Sequence, residues 1–280
     1  MVGHPISHSL SPQMHAAALA SIARDDPRFA SWRYFRFDVP PQRLEDALAL
    51  MRARGFLGVN LTVPHKVLAM EFVRVLDAAA REAGAVNTLA GDGGGWRGHN
   101  TDGYGLAAGI RDDLGIGLGG THVVLLGAGG AARGAAVECL RAGCASLWIS
   151  NRTRSNLDAL IAQLAPVAGS IPVMAIGHGG AAADVPSGSL LINATSAGLR
   201  SDDPAPADLR SLPGVEAVYD MIYNPPVTRL LAQARSMRIA HANGLGMLAH
   251  QGAKSLEIWT GVPAARTAPT MRAAAVKALG

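Results

Sequence analysis

The chain is poor in cysteine and has neither a crowded basic tract nor a long apolar run. Two cysteines, Cys139 and Cys144, stand among 280 residues. They are too few and too poorly partnered for a disulfide framework or a metal site, and they fit a reducing compartment, the cytoplasm by default. No stretch of about 18 apolar residues occurs, so no membrane span is expected. The N-terminus reaches His4 and Pro5 without an apolar run, and no secretory signal is read there. Lys and Arg are dispersed, and a formal charge of +4 comes without a basic patch. A nucleic-acid partner is therefore not expected, while small anionic ligands are compatible with the basic balance. His8, His15, His65, His99 and His250 are scattered along the chain and read as structural rather than ligating. No metal is expected.

What remains is ample hydrophobic material, 49% of residues, at a length that suits one or two α/β domains. The most informative stretch is His122-Val-Val-Leu-Leu-Gly-Ala-Gly-Gly-Ala-Ala132. Four apolar residues running into Gly127 predict a parallel strand buried on both faces. Gly127, Gly129 and Gly130 then turn into a helix over residues 131–141. A dinucleotide needs this arrangement, because glycines let the backbone approach a pyrophosphate and the helix start offers free N–H groups to the anion. A second strand is expected at residues 146–150.

That second strand ends in Asn151-Arg152-Thr153-Arg154, where NAD enzymes usually carry an acid for the ribose 2′-hydroxyl. No acid is present. Arg152 and Arg154 would suit a 2′-phosphate, as paired guanidinium donors do, and NADP is expected over NAD. The bland alternative is two solvated arginines at a helix start. Further strands are expected at residues 171–176, 189–193, 217–220 and 238–242, and helices at 155–164, 227–235, about 243–260 and 264–279. Residues 177–188 read as loose, variable surface, and 201–214 as an Asp/Pro-rich loop.

The N-terminal third reads as strands at 32–39 and 58–63, an amphipathic helix at 41–54 with Leu44, Ala47, Leu48 and Met51 on one face, a helix at 77–84, and a strand at 85–89 followed by a hairpin turn at Asp92 to Trp96. A mostly parallel sheet is expected, with ligands beyond its strand C-termini. Thr62 and Lys66 would stand there; Lys66 could equally be a solvated lysine. Ser9 and Ser11 could cap the helix that Pro12 begins, or bind a carboxylate. Asp102 could be an N-cap. The glycine-rich residues 114–121 read as a linker.

Several stretches together resemble the shikimate dehydrogenase family. They are Gly3-x-Pro-Ile-x-His-Ser-x-Ser-Pro12, Asn60-Leu-Thr-Val-Pro-His-Lys66, Gly84-Ala-Val-Asn-Thr88, Gly98-x-Asn-Thr-Asp-Gly103, Gly127-Ala-Gly-Gly-Ala131, Asn151-Arg-Thr153, Asn193-Ala-Thr-Ser-Ala-Gly198, Tyr223-Asn-Pro225 with Thr228, and Gly244-Leu-Gly-Met-Leu248 with Gln251. They stand in family order and cover nearly the whole chain.

The resemblance implies an α/β fold of three parts: a mostly parallel substrate-binding domain over residues 1–102, a Rossmann NADP-binding domain over 103–243, and C-terminal helices, 244–280, packing back on the first domain. It implies that Ser9 and Ser11 hold a substrate carboxylate, and that Thr62, Asn87 and Gln251 bind hydroxyls with Tyr223 nearby. Lys66 and Asp102 would be the catalytic pair. Gly127, Ala128, Gly129, Gly130 and Ala131 would cradle the pyrophosphate, and Asn151, Arg152 and Thr153 the 2′-phosphate. Thr195 and Ser196 would line the cofactor cleft, with Gly246 and Met247 by the nicotinamide. Two departures stand out. Family members usually carry several residues before the Gly3 motif, which are nearly absent here. Their NADP loops often have a basic residue three positions after the Thr, where this chain has Asn156.

The residue types suit the implied chemistry. Reducing a ketone by hydride creates an alkoxide, which needs a proton and a nearby positive charge. Lys66 can supply both, and Asp102 can orient it; in the reverse direction the base is Lys66 or the Lys66–Asp102 unit. The expected activity is NADP-dependent reduction of 3-dehydroshikimate to shikimate, in the cytoplasm, by a monomer or homodimer. A quinate- or aminoshikimate-type enzyme using NAD, and a non-catalytic NADP-binding regulator, are the alternatives.

Overall fold

The computed structural model describes residues 1–178, 184–200 and 202–280. Parts of two expected loops, residues 179–183 and 201, lie outside the described residues. The chain divides into two compact units, Met1–Gly105 with Leu248–Gly280, and Leu106–Met247.

The first unit contains β1 (Val2–Gly3), β2 (Phe37–Asp38), β3 (Gly58–Asn60), β4 (Val75–Leu76), β5 (Thr88–Gly91) and β6 (Trp96–His99). β1 pairs in parallel with β2, and Val2 bridges in parallel to Leu61. The other four strands lie in the order β3-β5-β6-β4, parallel between β4 and β6 and antiparallel across β3-β5-β6. The antiparallel pair β5-β6 follows from the glycine-rich turn between them, where Asp92 accepts from the N–H groups of Gly94 and Gly95. The helix Leu44–Ala53 buries Leu44, Leu48 and Met51, residues three to four apart, against Val2, Val59, Leu61, Leu89 and Trp96. At the other end of the chain, the alanine-rich helix Ala264–Leu279 packs on the helix Ser11–Ile22. Met14 and Met271, one from each, are fully buried.

Three local expectations are corrected in this unit. Ser11 does not cap its helix; it is the first helical residue, and the hydroxyl of Ser9 accepts its N–H at 3.3 Å. The alternation over 32–39 yields only β2, because just the N–H groups of Phe37 and Val39 meet carbonyls near β1. The aromatic residues before them pack instead: Tyr34 stacks on His15 at 4.0 Å and Trp32 meets Phe29 edge-on. The strand expected over 58–63 ends at Asn60.

The second unit holds β7 (His122–Leu126), β8 (Ser146–Ser150), β9 (Val173–Ile176), β10 (Ser189–Asn193), β11 (Val215–Asp220) and β12 (Ala240–Asn243). They form one parallel sheet in the order β12-β11-β10-β7-β8-β9. The run Val123–Leu126 is apolar throughout because its residues face two layers. Val123 and Leu125 pack with Ala132, Ala136 and Leu140, while Val124 and Leu126 pack with Leu209, Leu230 and Leu231. The Rossmann-type α/β architecture read from the sequence is present. Strand order reverses between β7 and β10, where a doubly wound sheet opens its ligand crevice. The glycine-rich residues 114–121 are no linker: Leu118 is 4% exposed within this unit's core.

Candidate active site

In the first unit, loop and helix starts bring a chain of polar side chains together. The short helix His65–Leu68 carries Lys66, and the helix Asp102–Leu114 carries Asp102 in its first turn. Lys66 Nζ donates to Asp102 Oδ2 at 2.6 Å, with 30% and 23% of the two side chains exposed. The pair is thus reachable from solvent yet half-enclosed. Asp102 is not its own helix cap, because Asn100 Oδ1 accepts the Asp102 N–H at 3.0 Å. This frees the Asp102 carboxylate: one oxygen faces Lys66, and the other accepts from Asn87 Nδ2 at 2.9 Å.

Asn87 is buried, and its orientation is fixed by backbone. Its Oδ1 accepts from the Thr101 N–H at 2.9 Å, a group that can only donate, so Nδ2 must turn toward Asp102. Thr62 and Gln251 are half-buried; the Gln251 amide donates to the Leu248 carbonyl at 2.9 Å. Ser9 Oγ donates to Met1 Sδ, and Ser11 is buried beside Tyr34, whose hydroxyl donates to Asn60 Oδ1 at 2.7 Å. Burial pushes the Tyr34 phenol well above its usual range, with the Ser11 hydrogen bond opposing. Of the expected substrate residues, Tyr223 belongs to the second unit, half-buried in the turn after β11, and burial raises its phenol.

In the second unit the turn after β7 borders a groove of about 550 Å³. Its walls include Gly127, Ala128 and Gly129, Asn151, Arg152 and Thr153, and Thr195 and Ser196. Gly127 has φ +114, and a Cβ there would meet the Ala194 carbonyl at 3.1 Å, so both conformation and space require glycine. Nothing lies within 4 Å of a Cβ built on Gly129 or Gly130, so the helix Gly130–Arg141 starts beside open space. No side chain caps that helix, which leaves its first N–H groups for an anion. Among the described residues, no Asp or Glu lines the groove, and Arg152 is exposed on its wall. These features fit a dinucleotide with a 2′-phosphate. Arg154, the second cation considered from the sequence, is turned away: it pairs with Asp158 one helical turn on, at 2.8 Å.

Gly130, Ala131, Gly246 and Met247 are not among the groove's walls. Gly246 and Met247 lie against Gly109 instead, and the Met247 N–H donates to Tyr219 Oη at 3.0 Å. Thr195 is held by Asn193 Oδ1, which accepts from both its N–H and its hydroxyl, while Asn193 Nδ2 donates to the buried Asp220. Burial raises the Asp220 carboxyl, against hydrogen bonds from Thr228, the Ile222 N–H and Asn193.

Sequence reading missed several members of these sites: Asn60, Thr88, Thr101 and Ser255 in the first, and His178 on the groove wall in the second. One signal was available for Ser255, which stands four residues after Gln251 and so on the same helix face. Among the described residues, no group of three or more His, Cys, Asp or Glu is placed to hold a metal ion, and no helix is long and apolar enough to cross a membrane.

Comparison with known proteins bears on the whole chain. Residues 1–89 match the family model described as the shikimate dehydrogenase substrate binding domain, and residues 244–275 match that of the shikimate 5′-dehydrogenase C-terminal domain. A shikimate dehydrogenase (NADP(+)) of Symbiobacterium thermophilum is 41% identical over 287 residues, covering 100% of this chain and 93% of that protein. A shikimate dehydrogenase solved with NADP+ superposes with a TM-score of 0.86 at 33% identity, covering 100% of this chain and 94% of its own. The Thermus thermophilus shikimate 5-dehydrogenase solved with NADP(H) and shikimate gives 0.82 at 34% identity, covering 98% and 97%. The fold also serves a 5-ketofructose reductase of Gluconobacter, with a TM-score of 0.83 at 33% identity, covering 97% and 96%. With full-length relatives this similar, the chain belongs to the shikimate dehydrogenase family.

Proposed function

We propose that this chain is an NADP-dependent shikimate dehydrogenase, an oxidoreductase that reversibly reduces 3-dehydroshikimate to shikimate on the way to chorismate and the aromatic amino acids. The observation that carries the reading is Lys66 held on Asp102 at 2.6 Å, with Asn87 on the other carboxylate oxygen, in a chain of this family. NADPH, when bound, supplies a hydride to the substrate's ketone carbon. The Lys66 ammonium then has two tasks, to offset the charge growing on the carbonyl oxygen and to give that oxygen a proton. Hydride and proton together convert ketone to alcohol, and the reverse reaction returns the proton to Lys66. Asp102 keeps the ammonium aimed, since its second oxygen is anchored by a buried amide.

Ser9 and Ser11 hold the substrate carboxylate in this reading, and Thr62, Asn87 and Gln251 its hydroxyls, with Tyr223 as a further substrate residue. Gly127, Ala128, Gly129, Gly130 and Ala131 hold the pyrophosphate, Asn151, Arg152 and Thr153 the 2′-phosphate, Thr195 and Ser196 the groove wall, and Gly246 and Met247 the nicotinamide end. The enzyme works in the cytoplasm, as a monomer or homodimer, on small molecules alone. Incubating the purified chain with 3-dehydroshikimate and NADPH tests it. Stoichiometric shikimate and NADP+ are expected; NADPH left unconsumed would refute the activity.

A further inference from the structure

The buried polar chain behind Asp102 converges on a hydroxyl outside the roles above. Ser255 is fully buried on the helix Leu245–Thr260. Its Oγ lies 2.9 Å from Asn60 Nδ2, 2.7 Å from Thr88 Oγ1, 3.3 Å from Thr101 Oγ1 and 3.0 Å from the Gln251 carbonyl. Asn60 Nδ2 faces the Asn87 carbonyl at 3.2 Å, which only accepts, so this nitrogen is the donor end and has one further hydrogen, shared between Ser255 and Thr88. Thr101 Oγ1 accepts from Asn87 Nδ2 and donates to the Gln251 carbonyl at 3.0 Å. Thr88 Oγ1 donates to Asn87 Oδ1 at 2.9 Å, which leaves it to accept from Ser255. The Ser255 hydroxyl therefore ties its helix to Thr88, which donates to the Asn87 oxygen, while the Gln251 carbonyl of the same helix holds Thr101, which accepts from the Asn87 nitrogen.

We infer that Ser255 is a positioning residue for the catalytic pair and for Gln251: it holds Thr88, which holds Asn87, which holds Asp102 against Lys66. The inference rests on the dehydrogenase reading for its kinetic part and on geometry alone for its structural part. Ser255→Ala deletes the hydroxyl, and Ser255→Cys keeps the volume with a far weaker hydrogen-bonding group.

Both variants should lower kcat/KM for shikimate oxidation by roughly tenfold to a hundredfold, the size expected when a buried network loses a partner. The loss should appear in kcat as well as in KM, with NADP+ affinity unchanged within about twofold. The readout independent of turnover is the side-chain amide pair of Asn87 in a nitrogen-proton NMR spectrum, identified by its loss in Asn87→Asp. It should be protected from exchange in wild type and lose protection in both variants. A space-filling serine would leave the Cys variant with wild-type kinetics and an unmoved amide, and that result overturns the inference. A wild type inactive on shikimate refutes the activity instead, and the amide protection then decides the positioning role alone.

Discussion

The two sites differ in how they carry their polar residues. In the first, Asn60, Asn87, Thr88, Thr101 and Ser255 are buried and bonded to one another, and only Lys66 and Asp102 at the end of the chain meet solvent. In the second, the groove is walled by a glycine turn and by exposed side chains such as Arg152, Thr153 and Ser196. A site that must aim a proton at one atom gains from side chains already fixed before the substrate arrives. A site that holds a long anionic cofactor can rely on backbone N–H groups and a surface cation. Substitutions in the buried network of the first unit should therefore disturb chemistry and stability together, and those of exposed groove-wall residues in the second should change affinity alone.

The largest contrast is expected from Lys66→Ala. It should lower kcat by roughly two to four decades, the usual worth of a positioned acid–base group, with little change in melting temperature. Near-normal turnover would remove Lys66 from the mechanism.

Asn87→Ala comes next. It strips partners from the Thr101 N–H and from Asp102 Oδ1 at once, so unfolding by urea should become easier by about 3 kcal/mol, with a parallel loss of kcat/KM. A stable but slow variant would mean that the network serves orientation without holding the fold.

Arg152→Ala probes the other unit. Loss of one charge-assisted bond should weaken NADP+ by about tenfold to a hundredfold and leave NAD+ and the melting temperature nearly unchanged. Equal weakening of both cofactors, measured by titration, would place Arg152 away from the 2′-phosphate.

The last contrast concerns pH. Burial holds the His15 imidazole at about 3, below its ordinary 6.5, so the folded state keeps it neutral. Unfolding then takes up a proton between those values. This share of stability is intact above about pH 6.5 and is lost at roughly 1.4 kcal/mol per pH unit as pH falls toward about 3. Burial lowers His65 as well, in the same direction. Urea midpoints at about pH 6.5 and about pH 4.5 should separate less in His15→Phe than in wild type. An unchanged separation would show that His15 does not carry that slope.

How legible each part was in the sequence follows the same contrast. β7, its glycine turn and the following helix could be read directly, because a run buried on both faces leaves an unbroken apolar signature and a close backbone approach demands glycine. Lys66, Asn87 and Asp102 were readable inside local motifs. Their support was not: Asn60 and Ser255 stand 195 residues apart, and only the returning helix joins them. Residues 32–39 misled because aromatic side chains that pack on His15 and Phe29 alternate with polar ones as a strand would. Arg154 misled because charge alone cannot tell a phosphate ligand from a partner of Asp158 four residues on.

The central claim is a shikimate dehydrogenase whose buried first site does the chemistry and whose open second site selects NADP. Initial rates of shikimate oxidation by the wild-type chain, with NADP+ and with NAD+, test it most directly. The account predicts kcat/KM at least about tenfold higher with NADP+, the contribution of one charged hydrogen bond. Turnover that favours NAD+, or faster oxidation of quinate than of shikimate, would contradict it.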